Sequence, residues 1–269
     1  MKKIFISSDI EGVTDISAWN EADKGHNDYE AFRDIMVEEV KSICSTLEKD
    51  CEEIVIRDAH DLARNIIHHK LPEKTKLIRG FNGHPDCMMF GLDESFDFSI
   101  LHGYHSPAGT NYSPLAHTLS SDKIQEIRIN GEIVGETTIS MYTSMMYDVP
   151  VCYVVGDKGA VEEAKNINKN IIGTVTKEGV GHCIKSLNPK FVGNLIKEDI
   201  KKAINKFNED KERFRFNLPE KFDVDIKYVD HQDAYRNSFY PGVRLKGYNC
   251  INTVTGDFRD VLKMFIFCI

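Results

Sequence analysis

Lys3-Ile4-Phe5-Ile6-Ser7-Ser8-Asp9-Ile10-Glu11-Gly12 opens as a short β-branched and aromatic run and closes on two acids two positions apart. The apolar part predicts a buried strand. On an extended backbone, positions i and i+2 project to one side, so Asp9 and Glu11 present their carboxylates together at the strand's C-terminal end. Two carboxylates held that close repel unless a cation or a proton lies between them. Taken alone, Asp-x-Glu-Gly reads equally well as a solvated turn.

The segments that follow say what kind of sheet this strand enters. Tyr29 to Lys49 carries Phe32, Ile35, Met36, Val40, Ile43 and Leu47 at helical spacing, which predicts an amphipathic helix packed on a sheet. Glu53–Arg57, Thr75–Ile78 and Phe96–Leu101 are further strand candidates. Strand, helix, strand in this order predicts an α/β fold: right-handed βαβ units and a largely parallel sheet flanked by helices. Ile127–Ile129, Asn130-Gly131 and Glu132–Val134 predict a β-hairpin insertion, because Asn-Gly supplies the positive-φ pair of a type I′ turn. Gly135-Glu136 opens a helix carrying Ile139, Tyr142, Met145 and Met146. Pro150–Val155 reads as another buried strand, and Asp157 as the N-cap of a helix through Ala164.

Beyond about Lys165 the pattern loosens. Asn188-Pro189 begins a helix with Asn as N-cap and Pro at its first position, its apolar stripe running through Val192, Leu195, Ile196, Ala203 and Phe207. Residues 208–221 are dense in charge and read as a loop, and Val224–Val229 alternates as a half-exposed strand. The expected organisation is a metal-binding α/β domain over 1–160 and a smaller α+β C-terminal region over 161–269, packed with the first as one unit or separate from it.

Composition narrows the function. The 269 residues hold 34 Lys and Arg against 42 Asp and Glu, a formal charge of −8, which argues against a protein that tracks nucleic-acid phosphates. Seven cysteines, an odd number with no C-x-x-C pair, fit reduced thiols in the cytoplasm. Ser7, Ser8 and Asp9 end the first apolar run too early for a signal peptide, and no run of about 18 apolar residues predicts a membrane span. Neither a phosphate-binding glycine loop nor a G-x-S-x-G nucleophile elbow is present.

The chemistry-bearing residues fall at strand ends. Asp58-Ala59-His60 ends the second strand; Asp58 reads as an acceptor for the His60 imidazole, a ligand, or an ordinary loop residue. His102-Gly103-Tyr104-His105 ends a later one, where Gly103 allows close backbone approach and His102 is either an additional ligand or a core residue. His117 follows a loop with Pro107 and Pro114, and Glu136 sits at a helix start, where the dipole favours an ionised carboxylate. Each has a bland reading. In a parallel α/β sheet the C-terminal strand ends gather on one edge, so together these residues offer the mixed nitrogen and oxygen donors of a zinc or binuclear hydrolase site.

Ser8-Asp-Ile-Glu-Gly12, Asp58-Ala-His60, Gly103-Tyr-His105, His117-Thr118 and Val134-Gly-Glu136 stand in the order and spacing of the zinc-dependent D-aminopeptidases, peptidase family M55. The chain resembles that family along its whole length, including Tyr147–Val151 and Lys177–Val180. The resemblance implies two zinc ions per chain, held by Asp9, Glu11, His60, His105 and Glu136 with Asp9 as bridge, and a catalytic role for His117. It implies release of N-terminal D-residues from short peptides and amides, D-Ala-D-Ala among them. It also implies a homodecamer of stacked pentameric rings. A hydroxide bridging the two ions would be the attacking group. Two other readings stay open: a different binuclear amidase or esterase, and a non-catalytic ring-forming metal-binding protein. Manganese, cobalt or iron would suit the same donors.

Overall fold

A computed structural model describes residues 2–269. In chain order its strands are β1 (Lys2–Ser8), β2 (Cys51–Asp58), β3 (Thr75–Ile78), β4 (Phe98–Tyr104), β5 (Ile124–Ile129), β6 (Glu132–Ile133), β7 (Val151–Gly156), β8 (Ile172–Val175), β9 (Lys177–Val180), β10 (Cys183–Ser186), β11 (Phe222–Tyr228), β12 (Val243–Leu245) and β13 (Cys250–Thr255). The helices are α1 (Trp19–Ala22), α2 (Tyr29–Leu47), α3 (Glu136–Met146), α4 (Lys158–Ile167), α5 (Pro189–Glu209), α6 (His231–Asn237) and α7 (Phe258–Cys268).

Six strands form the expected parallel sheet, in the order β3-β2-β1-β4-β7-β8. The first-quoted run, β1, lies at its centre, and Ser8 pairs with Asp58 on one side and His102 on the other. Ile4, Phe5 and Ile6 are fully buried, as both-face coverage of a parallel strand demands. Two helix pairs, α2 with α5 and α3 with α4, supply the cover. The caps follow the sequence: Asn188 accepts from Lys190 N and Asp157 from Ala160 N, each through its side chain. Strand order reverses at β1, with β2 to one side and β4 to the other, and such a switch point opens a crevice beyond the carboxyl ends.

A second, antiparallel sheet has the order β12-β13-β11-β5-β6. The Asn-Gly hairpin forms its edge, with Asn130 at φ 54° and Gly131 at φ 89°, the positive pair a type I′ turn requires. Both sheets therefore draw strands from either side of residue 160: β5 and β6 belong to the later sheet, β8 to the earlier one. The apolar tail is α7, whose Met264, Phe265 and Cys268 are buried in the second core beside Ile127, Ile226 and Ile251. The small hairpin β9–β10 has no counterpart in the sequence reading, because its four-residue strands alternate without an apolar run. The charged loop before β11 contains a single 3₁₀ turn, Lys211–Phe214, anchored by the buried Phe214.

Candidate metal centre

Three neighbouring strands deliver the site. Past β1 the backbone crosses the end of β4: Asp9 N–H donates to His102 O at 2.8 Å and Gly12 N–H to Gly103 O at 2.8 Å. That crossing leaves no room for side chains. A Cβ on Gly12 would stand 1.8 Å from the Tyr104 carbonyl oxygen, and one on Gly103, at φ +68°, would stand 2.1 Å from that of Asp9. Asp9 and Glu11 are thereby held over the sheet edge, with His60 following β2 and His105 following β4.

The side chains converge in two groups that share Asp9. His60 Nδ1 lies 3.5 Å from Asp9 Oδ1 and 3.0 Å from Glu11 Oε1. His105 Nε2 lies 3.5 Å from Asp9 Oδ2 and 3.3 Å from Glu136 Oε2. In each group the possible ligand atoms lie within 4.8 Å of one another: Asp9 with Glu11 and His60, and Asp9 with His105 and Glu136. A third such group joins Glu11, His105 and His117. Asp9 Oδ2 and Glu11 Oε2 are buried and receive no hydrogen bond from any described residue. Buried orphaned carboxylate oxygens, Asp9 Oδ2 among them facing the His105 imidazole, are what a bound cation satisfies, so the donor set fits a metal.

The remaining geometry aims these groups. His105 Nδ1 lies 3.0 Å from the Ser106 carbonyl, which can only accept; Nδ1 therefore carries a proton, and Nε2 is turned toward the carboxylates. Glu136 starts α3, and Leu119 N–H donates to its Oε1 at 2.7 Å. Its helix start is held from behind by half-buried Glu163, which accepts from Gly135 N at 2.6 Å and Thr138 N at 3.2 Å; desolvation of that carboxyl pushes it up to about 7. His117 N–H donates to Ser106 O at 3.2 Å, and Ser106 is pinned by Asp157, the cap of α4. The His117 ring stacks on His105 at 4.1 Å and meets Trp19 edge-on at 5.1 Å. Its Nδ1 donates to Leu115 O at 2.8 Å, leaving the Nε2 lone pair 3.8 Å from Glu11 Oε1 and 3.6 Å from Glu136 Oε1.

Burial and mutual charge divide the protons unevenly. Burial, then the Glu11 carboxylate, raise Asp9 well above the usual range. Burial works against ionised Glu11 too, but His60, His105 and His117 outweigh it and hold Glu11 low. Glu136 follows the same pattern, with His105 the main counterweight to burial. His60 and His105 are raised despite burial, chiefly by Glu11 and by Glu136 respectively. His117 goes the other way: burial, then the His105 charge, lower it, so its imidazole is neutral at neutral pH.

Two candidates from the sequence do other work. Asp58 neither contacts the His60 ring nor joins the cluster; its oxygens take Asn65 N, Ile66 N and Asn65 Nδ2, folding the loop after β2. His102 is a core residue, bonded through Nδ1 to Ser8 Oγ at 2.8 Å and through Nε2 to Glu39 Oε2 at 3.1 Å. One contributor went unread. Lys177 buries its ammonium beneath the ligand loop and spends all three donors on carbonyls of Glu11 (2.5 Å), Val13 (2.7 Å) and Ile16 (2.6 Å), while burial pulls its pKa down to about 8. Thr176 Oγ1 adds a bond to Gly12 O at 2.7 Å.

The model of the D-aminopeptidase family Peptidase_M55 matches residues 1–267. The chain belongs to the M55 D-aminopeptidase family. Membership makes it a peptide-bond hydrolase of the aminopeptidase class. A curated relative, the D-aminopeptidase of Bacillus subtilis (strain 168), is 29% identical over 264 residues, which cover 98% of this chain and 94% of the relative. Among solved structures, the Zn-dependent D-aminopeptidase DppA from Bacillus subtilis, described as a self-compartmentalizing protease, superposes with a TM-score of 0.91 at 26% identity, covering 99% of this chain and 96% of that one. This M55 member has, among its described residues, no helix long and apolar enough to cross a membrane.

Proposed function

We propose that this M55 chain is a binuclear zinc aminopeptidase that removes N-terminal D-residues from short peptides or amides. The observation that carries the reading is the position of Asp9, whose two oxygens face two different imidazoles, Oδ1 toward His60 and Oδ2 toward His105. Glu11 and His60 complete one three-ligand set, His105 and Glu136 the other. Three protein ligands with a position left open is the pattern of catalytic rather than structural zinc. Zinc held there would supply Lewis acidity for the scissile carbonyl and lower the pKa of water from about 15.7 towards ~7. His117 is the proton carrier: with its Nδ1 proton fixed on Leu115 O, its Nε2 takes the proton that the attacking water gives up and returns it to the leaving amine. The family's description supports D-specificity, and the self-compartmentalizing neighbour supports assembly as a ring-based homodecamer that admits short peptides. Zinc-loaded protein is expected to hydrolyse D-Ala-p-nitroanilide at least tenfold faster than the L-isomer and to lose turnover on chelation. Equal rates for both isomers, or acetate esters as the better substrates, would sink the D-aminopeptidase reading.

Lys177 supplies a test that does not depend on turnover. Lys177→Met leaves three buried carbonyls without their donor and releases the loop that carries Asp9 and Glu11. Outer partners of metal ligands are worth about 10–100-fold in metal affinity. The Kd for zinc, read by competition with a chromophoric chelator, should rise by that factor. An unchanged Kd would show that the latch does not position the ligands.

A further inference from the structure

A cavity of about 240 Å³ opens beside the metal cleft, and Cys87, Met88 and Leu119 line both. Leu119 joins them physically, because it lines both spaces and its backbone N–H holds the Glu136 carboxylate. The far walls come from Ile139 of α3 and from Phe265 and Ile266 of α7. The side-chain hydroxyls and the carboxylate on the lining are already engaged. Ser140 Oγ pairs with Tyr104 Oη at 2.9 Å, and Thr143 Oγ1 donates to Ile139 O at 2.8 Å. Asp86 accepts from Tyr147 Oη at 2.6 Å and from Arg259. What the cavity offers an occupant is therefore chiefly hydrocarbon, with the Cys87 thiol at its edge.

We propose that this cavity is the subsite for the side chain of the substrate's N-terminal residue, and that it selects a large apolar side chain, branched aliphatic or aromatic, over a methyl group. The proposal rests on the aminopeptidase reading above. An aminopeptidase presents the carbonyl of the N-terminal residue to the metals. The side chain of that residue leaves the adjacent Cα, so a cavity that shares Cys87, Met88 and Leu119 with the metal cleft lies within its reach. Volume then sets the size class. An apolar cavity of about 150 Å³ is enough to hold benzene, so 240 Å³ accommodates a phenylalanine or leucine side chain, whereas an alanine methyl leaves most of the wall uncovered.

Primary amides isolate this subsite, because ammonia leaves and nothing occupies the space beyond the scissile bond. With zinc-loaded wild-type protein, kcat/KM should rise about 10–100-fold from D-Ala-NH₂ to D-Leu-NH₂ and D-Phe-NH₂, the range that apolar-pocket selection reaches. The gain should appear mainly in KM, as expected of contacts made equally in ground and transition states. Ile266→Trp fills the cavity from α7 and should cut the D-Phe to D-Ala ratio at least tenfold; Ile266→Phe, a smaller fill, should give an intermediate ratio. Zinc content of each variant reports its integrity. A flat series, a preference for D-Ala-NH₂, or a ratio that neither substitution moves would overturn the proposal while leaving the aminopeptidase reading in place. Failure to hydrolyse any amide with zinc bound would instead remove that reading, and this one with it.

Discussion

His117→Ala is expected to keep its zinc and to lose about 10²–10⁴-fold in kcat, the usual contribution of a positioned general acid–base. The expectation follows from how the ring is held. Its Nδ1 proton is committed to Leu115 O, stacking on His105 fixes the ring plane, and Trp19 closes one side. Only Nε2 is left to act, and it faces the carboxylates of Glu11 and Glu136 at 3.8 and 3.6 Å. Burial and the neighbouring His105 keep the imidazole neutral, the form that can accept a proton. The same geometry admits His117 as a third donor beside Glu11 and His105. Zinc analysis of the variant separates the roles: intact metal with lost turnover marks the proton carrier, and lost metal marks a ligand.

Asp9→Ala should have the larger effect, because one side chain serves both halves of the site. Removing it takes Oδ1 from the His60 group and Oδ2 from the His105 group at once. Lewis-acid stabilisation is worth several kcal/mol in the transition state, and each 1.36 kcal/mol is tenfold in rate, so turnover should fall by at least about 10³-fold. Stability provides an independent readout. A ligand bound only to the native state raises its melting temperature; chelation should therefore lower Tm for wild type and leave Asp9→Ala unmoved. A variant whose Tm still falls on chelation would mean that Asp9 is not the bridge.

Strand ends were the legible part of this molecule. β1 and β2 announce themselves through Ile4–Ile6 and Ile54–Ile56, so the acids and histidines that close them could be assigned to one edge before any coordinates. Parallel order followed from the intervening helix α2, whose apolar stripe is explicit. Side-chain partners were not legible, because they depend on contacts distant in sequence. His102 and His105 are three positions apart on one strand end, yet one meets Glu39 of α2 in the core and the other meets Glu136. Asp58 stands two residues before His60 but is consumed by the amides of Asn65 and Ile66. Lys177 reaches Glu11 across 166 residues, and no local pattern marks a lysine whose ammonium will be buried. The second sheet was obscured for the same reason: β5 lies beside β11 only because the chain returns after residue 220.

Metal per chain is the most direct test of the central claim. Wild-type protein purified without chelators and analysed for its elements should contain about two zinc ions per chain, with essentially none in Asp9→Ala. No transition metal in the wild type, even after dialysis against zinc, would contradict the account, because the five converging donors would then be an inherited scaffold with no hydrolytic centre.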